Sequence, residues 1–195
     1  CLVRMMKITD FEFGSYLTLI WQKIVKVLGK EVAFKMEDVL DGDDGDNEDN
    51  EDDDADNQAQ TKIQSTTLDL PDGSRKKISI DAQLVQQQLS AIRILYEIFT
   101  MYAQKQAQTS SKHTLSANMC MDAITLLTPL LTSPYSPDIR THTAMCMSLA
   151  LGSLIKEQGN ANPLLEVFTH ITKQLMLAVV REGDGEVRSA MLESW

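Results

Sequence analysis

The chain has 195 residues and a formal net charge of −10, with 43% apolar residues but only 6% aromatic residues. This apolar share excludes a wholly disordered chain, and ten methionines favour helix interfaces over a β-sandwich. The three cysteines, Cys1, Cys120 and Cys146, are odd in number and far apart, which predicts free thiols in a reduced compartment and no zinc site. No apolar run approaches the ~20 residues that span a bilayer.

The first predicted element is a helix over residues 11–28. Apolar residues such as Leu17, Ile20 and Ile24 step by three or four, and Gly29 ends the pattern. A weakly amphipathic stretch over 31–40 follows. Residues 1–40 are therefore predicted to be the end of one helical repeat, and because the chain opens on Cys1 we expect it to be a piece of a longer protein.

An acidic tract over residues 41–56 contains eleven acidic residues and no basic one. The rest of the chain has a formal net charge of +1, so the acidity belongs to this segment. Dense like charge without periodicity predicts a disordered acidic loop over 41–65. It disfavours nucleic acid and favours a basic protein partner, although a solvated, tolerated insertion is the alternative interpretation. The candidate partner-binding residues are Asp41, Asp43, Asp44, Asp46, Glu48, Asp49, Glu51, Asp52, Asp53, Asp54 and Asp56.

A small β-hairpin insertion is predicted over residues 66–81. Leu68 and Leu70 alternate with polar residues before a Pro-Asp-Gly turn, and Ile78 and Ile80 alternate after it. Asp81 is then suited to cap the next helix, because its carboxylate can accept hydrogen bonds from the free amides of the first turn.

A helix pair is predicted over residues 82–132. Its first helix runs to about residue 106, and its second covers 112–131 with a kink at Pro129. The apolar positions of the two helices are spaced by three or four residues. They are Val85, Leu89, Ile92, Tyr96 and Phe99 in the first helix, and Leu115, Met119, Ala123, Leu126, Leu127 and Leu130 in the second.

Another helix pair is predicted over residues 133–182, with Ser136 as the cap and Pro137 as the first residue of its first helix. Its second helix is predicted to begin with Asn162 as the cap and to end before a Gly-Asp-Gly turn. Its inward positions are predicted to be Leu165, Phe168, Ile171, Leu175 and Ala178. Residues 183–195 read as the start of the next repeat.

A short motif recurs at the corners between these pairs. Asp138-Ile139-Arg140 matches Glu186-Val187-Arg188 after 48 residues. The acid complements the helix start, the aliphatic residue anchors the corner, and the arginine can cross to a neighbouring turn or repeat. This spacing resembles HEAT repeats and predicts an all-α fold, a HEAT-repeat α-solenoid of antiparallel helix pairs with the acidic loop and the hairpin as an insertion.

Four segments in order resemble the middle of the importin beta-like karyopherins, specifically the importin-five-type subgroup. They are FGSYLTLIWQKIVKVLG, DGDDGDNEDNEDDDAD, KKISIDAQLVQQQLSAIRILYEIF and LLTPLLTSPYSPDIRTHTAMCMSL. The resemblance implies a nuclear transport receptor that shuttles between cytoplasm and nucleus. It also implies partners of three kinds: basic cargo, the GTP form of the small GTPase Ran, and Phe-Gly repeats of the nuclear pore.

Two alternatives stay open. The first is a HEAT scaffold of another kind, such as a phosphatase regulatory subunit, a condensin-like subunit or a microtubule-associated array. The second is an enzyme regulated by an acidic calcium-binding insert, since Glu37, Asp41, Gly42 and Glu48 match four positions of a calcium-loop template, although Val39 occupies a ligand position. The three histidines are scattered and no catalytic motif occurs, so we expect no enzyme activity, cofactor or metal. Because no long apolar run occurs, we also expect no membrane insertion.

Overall fold

The computed structural model describes residues 14–32, 34–39, 63–69, 75–108, 115–158 and 161–195. Of the described residues 79% are helical, so the fold is mostly α, but it also contains a small three-stranded sheet. The described residues divide into a helical unit, drawn from Cys1–Lys30 and Gln87–Trp195, and a second unit within Glu31–Gln86. The elements in chain order are α1 (Gly14–Leu28), β1 (Phe34–Val39), β2 (Ile63–Asp69), β3 (Arg75–Asp81), α2 (Ala82–Gln108), α3 (Ala117–Leu127), a 3-10 turn (Thr128–Thr132), α4 (Pro137–Gln158), α5 (Ala161–Arg181) and α6 (Gly185–Glu193).

The sheet corrects two boundaries of the sequence prediction. Its order is β1-β3-β2 and both pairings are antiparallel, so the predicted hairpin is present but has a third strand. Phe34–Val39 is a strand and not the end of a helical repeat, and β2 begins at Ile63, inside the segment predicted to be a loop. Glu37 lies opposite Lys77 across the β1–β3 ladder, and such non-local pairing cannot be read from local periodicity. The predicted Pro-Asp-Gly turn lies outside the described residues.

The first two helices follow the predicted pattern with small differences. In α1, Leu17, Trp21 and Ile24 are buried. At the start of α2 the Leu84 amide donates to Oδ1 of Asp81 over 2.9 Å, which confirms the predicted cap. Along α2 the completely buried positions include Leu95, which is not among the five predicted apolar positions of this helix.

Helix α3 is shorter than predicted and changes into a 3-10 turn. Ser116 caps it, since its hydroxyl accepts from the Met119 amide. Pro129 lies in the first turn of the 3-10 segment, where its missing N–H costs no helical hydrogen bond. The predicted kink is therefore a change of helix type at Thr128, whose hydroxyl donates to the Ile124 carbonyl over 2.7 Å.

Helix α4 is the central helix of this part of the helical unit and packs against α3, the 3-10 turn, α5 and α6. It begins at Pro137 as predicted, and the Ile139 amide donates to the Ser136 hydroxyl over 3.4 Å. Several of its side chains are completely buried because neighbours contact it on more than one side. They are Ile139, Thr143, Ala144, Cys146, Met147, Ala150 and Leu154.

Helix α5 begins at Ala161, so Asn162 lies inside its first turn and is not the cap. Ile171, Leu175 and Ala178 are buried as predicted. Leu165 and Phe168 were predicted to face inward, but they are 63% and 42% exposed. The prediction was wrong there because the apolar stripe of α5 is wider than the surface that described neighbours cover.

Candidate functional site

The junction between α5 and α6 is organised around Glu182, the residue that follows the end of α5. Arg140 on α4 donates from Nε to Oε2 of Glu182 over 2.5 Å, and a second guanidinium nitrogen donates to Oε1 over 3.0 Å. Arg188 on α6 donates from Nε to the Glu182 backbone carbonyl over 3.2 Å and makes a further short hydrogen bond to the same oxygen. Side chain and backbone of one buried residue therefore link α4, α5 and α6.

The preceding junction has the same construction. A third nitrogen of Arg140 donates over 2.9 Å to the carbonyl of Ser133, which follows the 3-10 turn as Glu182 follows α5. Asp184 caps α6 by accepting from the Val187 amide over 3.3 Å, as Ser136 caps α4 by accepting from the Ile139 amide. The repeated motif predicted from sequence therefore has one repeated geometry, with a cap, a buried aliphatic anchor and an arginine that reaches back.

A related contact links α2 to the end of α1. Nε2 of Gln88 donates to the Lys30 carbonyl over 2.9 Å, and Lys30 lies two residues beyond α1. Gln88 is seven residues after its helix cap Asp81, whereas Arg140 is four residues after its own cap Ser136. Gln88 is therefore about one helical turn further from its cap than Arg140 is, on a similar face of its helix. Helices α2, α4 and α6 thus each donate a side-chain hydrogen bond to a backbone carbonyl that lies just beyond the end of an earlier helical segment.

The electrostatics of the junction between α5 and α6 favour a charged Glu182. The hydrogen bonds from Arg140 hold the pKa of the Glu182 carboxyl below its ordinary value of 4.5, although burial acts in the opposite direction. The Asp184 amide also donates to Oε1 of Glu182 over 3.0 Å. Arginines near helix C-termini are favourable in addition because the terminal carbonyls carry partial negative charge.

The remaining corner residues differ in exposure. Ile139 is fully buried and Val187 is 5% exposed, so both act as anchors. Asp138 contacts Arg93 of α2 over 3.4 Å, with both side chains more than half exposed. Glu186 is exposed in the first turn of α6, where its charge complements the helix dipole.

The other sequence-predicted residues are not brought into this site. The eleven acidic residues from Asp41 to Asp56 lie outside the described residues. Glu37 and Val39, the first positions of the calcium-loop template, are in strand β1, where the backbone is extended and does not form such a loop. Cys120 and Cys146 are buried and are not joined in a disulfide, and burial raises the pKa of the Cys146 thiol. No group of three metal-ligating side chains occurs in the described part of the chain.

Sequence reasoning missed Glu182, Ser133 and Gln88. Two of them take part through backbone carbonyls, which carry no sequence signature. For Glu182 a signal was present, because an acidic residue directly after a helix is unfavourable next to the negative end of the dipole unless a cation neutralises it. The cation that neutralises it is Arg140, 42 residues earlier in the chain, so local spacing could not identify the pair.

Comparison with known proteins adds no family. No protein-family model matches the chain, and no curated protein matches it. Within the described residues, no helix is both long enough and apolar enough to cross a membrane.

Proposed function

We propose that the chain is a segment of a HEAT-repeat α-solenoid whose function is to bind other proteins. The observation that carries the proposal is the repeated junction, in which Arg140 and Arg188 reach back to the carbonyls of Ser133 and Glu182. A helix cap, a buried aliphatic residue and an arginine donor recur with the same spacing after 48 residues, although the cap is Ser136 in one copy and Asp184 in the other. Repetition of this kind is typical of arrays in which each helix pair contacts mainly its neighbours.

The solenoid is proposed to belong to an importin beta-like karyopherin, a nuclear transport receptor that binds basic cargo and Ran in its GTP form. Support comes from the order of four sequence segments, above all the acidic tract, which follows α1 and lies between strands β1 and β2. A tract with eleven acidic residues attracts basic proteins at long range and raises their association rate.

A pull-down with Ran locked in the GTP form tests the transport function. The complete polypeptide that contains this chain is expected to retain GTP-locked Ran and not Ran loaded with GDP, which is the matched control. Circular dichroism of the same preparation establishes that it is folded. A folded protein that does not distinguish the two nucleotide states would contradict the transport function and would leave the general HEAT scaffold.

The role of the acidic tract has its own test. Residues 41–56 are replaced by a Gly-Ser linker of the same length, which removes the charge and keeps the connection. We expect unchanged helicity and melting, and weaker binding of a basic cargo peptide at low salt, with the difference disappearing at high salt. Equal affinity of the two proteins at low salt would make the tract a tolerated insertion.

A further inference from the structure

A groove of about 570 Å³ lies between α5 on one side and α3 with the 3-10 turn on the other. Helix α5 packs against the 3-10 turn, which therefore closes part of the groove. Ile124, Leu131 and Ile171 line its floor, and all three are buried. The floor is therefore apolar, and it supports insertion of aliphatic side chains.

One wall of the groove presents hydrogen-bond acceptors at regular intervals. The hydroxyls of Thr125 and Thr128 donate to carbonyls of their own helix over 2.9 Å and 2.7 Å, and the Thr132 hydroxyl donates to the Pro129 carbonyl. With their protons used in this way, the three oxygens remain free to accept from a ligand. On the facing wall Gln174 is half-buried and has no partner in the described part of the chain, so its amide can both donate and accept.

The two ends of the groove carry opposite charges on α5. Of the α5 residues that line the groove, Glu166 is the nearest to the start of the helix and Arg181 is the last residue of the helix. The two residues are fifteen positions apart, or roughly 22 Å along a helix. Both side chains are exposed, and neither has an ion-pair partner among the residues that the structure describes. An occupant that spans the groove meets an anion at one end and a cation at the other.

We propose that this groove binds an extended peptide segment of another protein, with a Lys or Arg near Glu166, an Asp or Glu near Arg181, and aliphatic residues between them. An extended backbone needs partners for its N–H and C=O groups, which the three threonine oxygens and Gln174 supply. A helical ligand satisfies its backbone internally and makes no use of this wall. The distance between the charges corresponds to about seven extended residues. The site stands on its own geometry and does not depend on the transport function.

Selection from a random heptapeptide library displayed on phage tests the proposal. The wild-type chain is expected to enrich peptides with a basic residue at one end and an acidic residue at the other. Thr125→Trp fills the groove from an exposed wall position and is expected to abolish the enrichment, whereas Asn118→Trp, exposed on α3 outside the groove, is expected to preserve it. No enrichment by the wild type over Thr125→Trp would overturn the proposal.

Charge reversal tests the ends of the groove separately. Glu166→Arg makes both ends basic and is expected to select peptides that are acidic at both ends, and Arg181→Glu is expected to select peptides that are basic at both ends. Asp122→Arg and Lys173→Glu are the matched controls, because both residues are exposed and do not line the groove. A synthetic consensus peptide should bind each groove variant about fivefold more weakly by fluorescence anisotropy. If the wild type and all variants select the same peptide consensus, the assignment of a basic peptide residue to Glu166 and of an acidic one to Arg181 is refuted.

Discussion

At the residue scale, Glu182 is the most consequential position that the structure identifies. Its carboxylate receives two hydrogen bonds from Arg140, and its carbonyl receives those of Arg188. The Glu182 side chain is only 5% exposed and that of Arg140 only 17% exposed, so water screens the pair weakly. Removal of one partner leaves an uncompensated charge in the protein interior.

Replacing Arg140 by Ala should lower the free energy of unfolding by about 3 kcal/mol, because Glu182 then stays buried without its cation. The matched control is Arg93→Ala, which removes the ion pair to Asp138 where both side chains are more than half exposed. That change should cost less than about 0.5 kcal/mol. Urea denaturation followed by circular dichroism measures both, and equal costs for the two variants would contradict the importance of burial.

The lowered pKa of Glu182 makes a prediction about pH. Because the folded-state pKa lies below the ordinary value of 4.5, the charged carboxylate stabilises the protein above that value, and this stabilisation is lost as the pH falls through the lowered pKa. The free-energy difference between the wild type and Glu182→Gln should therefore be largest near neutral pH and shrink below about 4.5. Urea denaturation of both proteins at neutral and acidic pH measures it. A difference that does not change with pH would show that the charge is not the cause.

At the scale of elements, each of α2, α4 and α6 begins with a side-chain cap that accepts the amide three residues later. The caps are Asp81, Ser136 and Asp184. The residue that donates this amide is buried in all three, as Leu84, Ile139 and Val187. A cap and a buried aliphatic residue at a fixed spacing therefore set both the first residue of the helix and its rotation.

Asp184→Ala should destabilise α6 by about 1 kcal/mol, since the amides of Glu186 and Val187 lose their acceptor. Asp184→Ser should restore most of this, because a serine hydroxyl performs the same role at Ser136. Hydrogen exchange of the α6 amides gives the local effect and urea denaturation the global one. A serine variant as unstable as the alanine variant would mean that the carboxylate acts by charge and not as a cap.

At the scale of the whole molecule, the helical unit is unevenly covered. Helix α4 has contacts on several sides, whereas α5 leaves Leu165, Met176 and Val180 at least 63% exposed. Apolar area contributes to folding only where it leaves water. The same residue type should therefore have very different effects in these two helices.

Met147 and Met176 provide that comparison, since Met147 is fully buried in α4 and Met176 is 64% exposed in α5. Met147→Ala should lower the free energy of unfolding by about 3 kcal/mol, as it leaves a cavity in the core. Met176→Ala should change it by less than about 0.5 kcal/mol. Urea denaturation of both variants decides this, and a large loss from Met176→Ala would mean that this face of α5 is covered in solution.

Most of the helices, the caps Asp81 and Ser136 and the repeated corner could be predicted from sequence, because each depends on residues close together in the chain. Asp81, Ser136 and the Asp-Ile-Arg corner needed only local spacing. Strand β1 could not be predicted, because its pairing partner β3 lies about forty residues further along the chain. The exposed positions of α5 also escaped, since periodicity identifies an apolar side but not whether another element covers it.

The sequence by itself determined where α2 and α4 start, which aliphatic residues anchor the corners and that two arginines occupy equivalent positions 48 residues apart. Only the tertiary structure decided what those arginines bind. The acceptors are the carbonyls of Ser133 and Glu182 and the carboxylate of Glu182, which packing of separate helices brings within hydrogen-bond distance. A backbone carbonyl is the same in every residue, so its role depends on the position that folding gives it.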